Sequence, residues 1–136
     1  MLTTTLNKIR QHAPCADGWS TLLKHLNKTK ADDEPLPFAV ILESNGLSDA
    51  LWAMRAAPEH DRKWRLFAVW CARQVQHLMT DPRSIAALDV SGRFANGEAT
   101  HEELDAAWNA AWDAVWDAAR DAARDAARDA AWDAAG

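Results

Sequence analysis

The side chains able to do chemistry are plentiful in this 136-residue chain, but they are dispersed. Five histidines stand at His12, His25, His60, His77 and His101, and none forms the two-histidine pair on one helical face that a zinc site requires. Cys71 and His77 are six residues apart, which on a helix points them to different sides, so a thiolate–imidazole pair is not expected. His101-Glu102-Glu103 falls where a helix begins, and acids there complement the positive end of the helix dipole. The same reading covers His60-Asp61. Asn45-Gly46 and Gly92 are isolated glycine positions, not a phosphate-cradling loop. The residues carry no catalytic, cofactor or metal signature, and no enzyme is expected.

The one regular arrangement of charge lies at the end of the chain. From Asp113 the sequence runs DAVW, DAAR, DAAR, DAAR, DAAW, DAAG. Alanine is the strongest helix former and arginine is close behind. Asp117, Asp121 and Asp125 each stand three residues before an arginine, so pairing offsets part of the helix cost of aspartate. A step of four residues advances each unit about 40° around the axis, so the Asp row drifts roughly 240° between Trp108 and Trp132. Trp108, Trp112, Val115 and Trp116 are expected to dock on a core. Beyond them the helix is expected to be solvated or pressed on a partner. The candidate partner contacts are Asp113, Asp117, Asp121, Asp125 and Asp129, with Trp132 as an apolar anchor.

Upstream, the elements that would hold this helix follow from local signals. Thr3–Thr5 can cap a short helix carrying Leu6, Ile9 and Ala13, ended by Pro14. Trp19, Leu22, Leu23 and Leu26 recur at helical spacing over residues 16–27. Asp32-Asp33-Glu34-Pro35 resembles a helix start. It would lead a short helix, residues 36–44, that buries Phe38, Ile41 and Leu42 and ends at Asn45-Gly46. Ser48 can cap the next helix. Residues 59–80 read as a central helix with Trp64, Phe67, Trp70, Cys71, Val75, Leu78 and Met79 on an apolar face. Asp81-Pro82 breaks it and opens another, with Ile85, Leu88 and Phe94 inward, closed by Asn96-Gly97. Thr100 and Glu103 form a capping box for the last helix. No segment alternates with period two. The fold class is therefore all-α: a bundle of six or seven helices in one domain, residues 1–116, with 117–136 continuing the last helix as a long Ala-rich rod.

Composition bounds the rest. The eight tryptophans, beside three phenylalanines and no tyrosine, are expected mostly in the core. Cys15 and Cys71 are expected as buried free thiols, in keeping with a cytoplasmic setting. No signal-peptide pattern opens the chain and no apolar run is long enough to span a membrane. The net charge of −5 conceals a basic front and an acidic back. That distribution argues against direct nucleic-acid binding, which concentrates positive charge.

Residues 61–119 resemble a family of small bacterial and phage proteins labelled immunity proteins. The likeness is carried by Arg65-Leu66, Asp81-Pro82-Arg83, Gly97-Glu98-Ala99-Thr100 and the Ala-rich repeat that follows. The upstream landmarks Pro14-Cys15, Gly18-Trp19, Ala31-Asp32-Asp33-Glu34 and Asn45-Gly46-Leu47 resemble small prophage proteins of unassigned role. The resemblance implies a mobile-element setting and a protein partner. The expectation is a phage-encoded inhibitor of a host defence nuclease complex, of the anti-CRISPR type. The alternatives are an immunity protein that neutralises a toxin, and a scaffolding protein that self-associates through its tail as a homodimer.

Overall fold

The computed structural model describes residues 1–135, and the chain is all-α. Seven α-helices lie among the described residues: α1 (Leu6–Arg10), α2 (Ala16–His25), α3 (Phe38–Asn45), α4 (Leu47–Ala53), α5 (Asp61–Gln74), α6 (Pro82–Ala95) and α7 (His101–Ala135). Two two-residue strands, β1 (Thr3–Thr4) and β2 (Leu36–Pro37), pair antiparallel with Thr3 opposite Pro37. Contacts divide the chain into two compact units, residues 1–64 and 65–136, with the division inside α5.

The first unit is a conventional apolar core. Leu6, Ile9, Leu22, Leu36 and Ile41 are buried together, with Trp19, Phe38 and Trp52 packed against them. Thr5 caps α1 by accepting from the Lys8 amide at 3.1 Å. The segment expected to start a helix at Leu36 is instead β2, because Thr3–Thr4 offers it a strand partner, and the helix begins at Phe38. The buried Thr4 hydroxyl donates to the Ala56 carbonyl at 2.7 Å, tying the strand to the 3₁₀ turn, Met54–Ala56, that follows α4. The helix from Ala16 ends at His25, two residues early. Asn27 adopts φ +53, and the Asn27 and Lys28 amides return to the Lys24 and Leu23 carbonyls. Such a left-handed residue closes a helix by satisfying its last carbonyls. Leu42 is exposed rather than buried, since Ile41 already fills the inward position of α3. Gly46, at φ +83, serves as C-cap of α3 and N-cap of α4, which takes the capping role expected of Ser48.

In the second unit the expected helix over 59–80 is shorter. α5 ends at Gln74 and a single 3₁₀ turn follows, Gln76–Leu78. Asp81 caps α6 by accepting from the Arg83 amide, with Pro82 in the first turn. Gly97 and Glu98 close α6 by donating to the Phe94 and Arg93 carbonyls at 3.0 and 2.8 Å. The capping box forms as expected: the Glu103 amide donates to Thr100 Oγ1 at 3.1 Å, and the Thr100 amide to Glu103 Oε2 at 2.7 Å. Those contacts hold the Glu103 carboxyl below its ordinary range, the Thr100 amide contributing most. α5 meets α6 antiparallel: Arg65 lies over the Phe94 ring, and Arg73 pairs with Asp89 at 2.8 Å. α6 and α7 run antiparallel in turn. Their seam is made of small residues, with Ala95, Leu104 and Ala114 buried.

That seam corrects the expectation for the tryptophans. None of the eight is buried, and five are exposed: Trp70, Trp108, Trp112, Trp116 and Trp132. Close helix approach needs small side chains at the contact, and α7 offers alanine on every side, so the large rings are left on the rim. Both cysteines are also exposed rather than buried. Cys15 sits at the N-cap of α2, where its Sγ accepts from the Gly18 amide at 3.4 Å.

Candidate protein interface

α7 is one unbroken helix from His101 to Ala135, so the repeat continues the helix that the capping box starts. Up to Asp117 it lies against α6. From Ala118 to Ala135 every residue is exposed. That projecting length is about 27 Å at the usual helical rise. Thus the helix has two parts, a docked half and a bare half, and the candidate contact residues are divided between them.

Asp117 stands at the junction. Its carboxylate accepts from Arg83 Nη1 at 3.1 Å, and Arg120 lies 3.6 Å away. The same Arg83 grips Asp81 with two further nitrogens, Nε to Oδ1 at 3.1 Å and Nη2 to Oδ2 at 2.8 Å. This forked geometry is specific to guanidinium. It holds the Asp81 carboxyl below its ordinary range, chiefly through the side-chain bonds, and pushes the Arg83 ionisation higher still. Arg83 therefore fastens the start of α6 to the last packed turn of α7. In the sequence Asp81-Pro82 reads as the start of a helix and Asp81-Pro82-Arg83 as a landmark of the resemblance, with no partner for Arg83 in view. The signal for the clamp was an arginine two residues after a helix-capping aspartate, but its second partner lies 34 positions away.

In the bare half, Asp121 pairs with Arg124 and Asp125 with Arg128. Asp113 and Asp129 instead precede Trp116 and Trp132 by three residues. With about 100° per residue, Asp117, Asp121, Asp125, Asp129 and Trp132 fall within an arc of about 120°. Asp113 falls outside that arc. Five of the six candidates thus share one side of the rod, with Arg128 within the same arc and Arg124 and Arg120 about 20° and 60° outside it. Trp132, 81% exposed, sits among the acids.

A second face runs along α7 on the side away from the acids. Trp108, Trp112 and Val115 line one wall of a groove of ≈ 290 Å³, and Ser84, Ala87 and Ser91 of α6 line the other. The Trp108 indole reaches Ser91 Oγ at 3.5 Å. On α5, Phe67 and Trp70 are exposed and stacked, with centroids 6.3 Å apart.

The first unit holds the more enclosed cavity, ≈ 190 Å³, lined mainly by Ile9, Trp19, Leu22, Ile41 and Trp52. Its polar edge is spoken for: Asn45 Nδ2 donates to the Gly18 carbonyl and to Asp49 Oδ2, both at 2.8 Å. Among the described residues, no group of three or more His, Cys, Asp and Glu side chains is placed to hold a metal. No described helix is long and apolar enough to cross a membrane. No protein-family model, curated protein or solved structure matches the chain.

Proposed function

We propose that this is a non-catalytic binding protein that masks a surface of a partner protein with the acid-bearing side of α7. We further propose that the partner is a bacterial defence nuclease complex, which would make the chain a phage-encoded inhibitor of the anti-CRISPR type. One observation supports the binding reading above the rest: a bare helical rod that keeps Asp121, Asp125, Asp129 and Trp132 on one side, with Asp117 at its base. A rod about 10–12 Å wide with carboxylates on one flank suits a basic protein groove, and charge complementarity of this kind steers association and selects the partner. Trp132 supplies the kind of anchor that dominates binding energy when it enters a pocket. The phage and defence setting rests on the resemblance of residues 61–119 and of the upstream landmarks. The same masking mechanism serves an immunity protein directed at a toxin, and that is the runner-up.

The test is capture of purified defence nuclease complexes, and of toxins, by the immobilised full chain. The expected result is stoichiometric binding that weakens with salt. Binding should be lost in Trp132→Ala and in the combined Asp121→Asn, Asp125→Asn, Asp129→Asn variant at unchanged helicity. Binding that survives both variants removes the acid side from the mechanism. Capture of toxins alone replaces the anti-defence reading with the runner-up.

A further inference from the structure

The groove between α6 and α7 is open, apolar and walled by exposed tryptophans, and the chain itself carries a helix that fits it. Trp108, Trp112 and Val115 are spaced four and three residues apart. Continuing that alternation along the repeat gives Ala119, then Ala122 or Ala123, then Ala126, then Ala130. Every one of these is exposed. The rows of a single repeat position drift around the axis, but each unit contains two alanines. A seam can step from one to the other and hold its direction. The stripe from Trp108 to Ala130 is about 33 Å long, with bulky rings in its first half and bare alanine in its second.

We propose that two copies of this chain pair through this stripe, antiparallel, about a two-fold axis near Ala119. In that register Trp112 of each copy lies over Ala126 of the other, Val115 over Ala123, and Trp108 over Ala130. Each ring meets a methyl group, so the helices can close to contact, and the bare half of one α7 lies in the α6/α7 groove of the other. A parallel pairing would set ring against ring and methyl against methyl, leaving a gap along the second half. Such a two-fold interface is self-complementary by construction.

Area agrees with this choice. Trp108, Trp112 and Trp116, each more than half exposed, together offer on the order of 400 Å² per copy. Two copies with Val115 and the alanines added approach the roughly 1,200 Å² at which specific interfaces begin. The acid side of the rod points away from this stripe, so pairing leaves it open and displays two copies of it.

Sedimentation equilibrium of the full chain at micromolar concentration is the test, with the chain mass of 15.1 kDa as the reference. The expected mass is twice that value, and a single-chain mass overturns the pairing. Ala119→Glu with Ala126→Glu keeps good helix formers at both positions and should halve the mass at unchanged circular dichroism. A mass that stays doubled overturns the stripe. Register is read with single cysteines in a Cys15→Ser, Cys71→Ser background. Val115→Cys mixed with Ala123→Cys should form a mixed disulfide, whereas cross-linking of either variant with itself overturns the antiparallel order. Because Ala119→Glu leaves the acid side intact, failure of the dimer and failure of partner capture are separable results.

Discussion

Residues 1–64 bury branched aliphatic side chains together with Ala53, Ala56 and Ala57, whereas residues 65–135 bury two alanines and one leucine and leave tryptophan outside. In the first unit Leu6 is 1% and Ile41 2% exposed. In the second the buried side chains are Ala95, Leu104 and Ala114, while Trp112 is 58% exposed. Burial of apolar area is the main driving force of a core, at roughly 25 cal/mol per Å². Alanine supplies little area, so burial contributes less to the second unit, and helix propensity and caps count for more there. The lesson is that one chain uses two means of order. A packed core fixes one fold, and a helix-rich unit keeps its apolar surface available.

The largest expected contrast follows directly. Ile41→Ala removes a fully packed side chain and should cost about 2–5 kcal/mol of unfolding free energy, because the cavity adds to the lost transfer term. Trp132→Ala removes a larger side chain from the bare half and should change stability by less than about 0.5 kcal/mol. Urea unfolding of the two variants beside the parent chain measures both. Equal losses would dissolve the distinction between the units.

A smaller contrast lies in the two glycines that end helices. Gly46 joins α3 to α4 at φ +83, ψ −179, a region essentially reserved for glycine, so Gly46→Ala should cost about 1–3 kcal/mol. Gly97 follows α6 at φ +76, where other residues are accommodated more readily. Gly97→Ala should cost about 1 kcal/mol. Nothing lies within 4 Å of a Cβ added at either position, so the difference reads backbone strain and not collision. Guanidinium midpoints for the two variants decide it, and a Gly97 loss larger than the Gly46 loss would reverse the reading.

What the residues announced in advance was local. Thr5, Asp81-Pro82 and the Thr100–Glu103 box act within three positions of themselves, and each formed where its spacing placed it. Asn45-Gly46 and Asn96-Gly97 likewise closed their helices. The long-range features were not legible. Thr4 finds Ala56 across 52 positions, and Arg83 finds Asp117 across 34. Periodicity reveals which side of a helix is apolar but not whether another element covers it. On α5 it named Phe67 and Trp70, which remain exposed. On α7 it named Trp108, Trp112, Val115 and Trp116, yet alanine occurs on every side and the seam with α6 formed along Leu104 and Ala114 instead. The acid residues were legible as a row. The Arg83 clamp that occupies Asp117, and the edge of arginines beside Asp121 and Asp125, come only with the helix in three dimensions.

The smallest expected effect is the most informative about the rod. An isolated helix of the length of Ala118–Ala135 would bear the full cost of nucleation in water. Here the nucleus already exists, as the half of α7 docked on α6, and each further residue only propagates it. The rod should therefore depend on its base while the base does not depend on the rod. Deleting residues 118–136 should leave the unfolding free energy of the dissociated chain within about 0.5 kcal/mol of the parent, while helical ellipticity drops by the share those residues contribute. Arg83→Ala tests the reverse direction. It cuts partly exposed ion pairs to Asp81 and Asp117, each worth at most about 1 kcal/mol, and leaves Asp117 to Arg120 alone at the point where support ends. Amide exchange should quicken from Ala118 outward and stay unchanged at Leu104. A deletion that costs more than about 1 kcal/mol in the dissociated chain, or exchange that quickens equally along all of α7, would mean the rod is braced by something other than its own base.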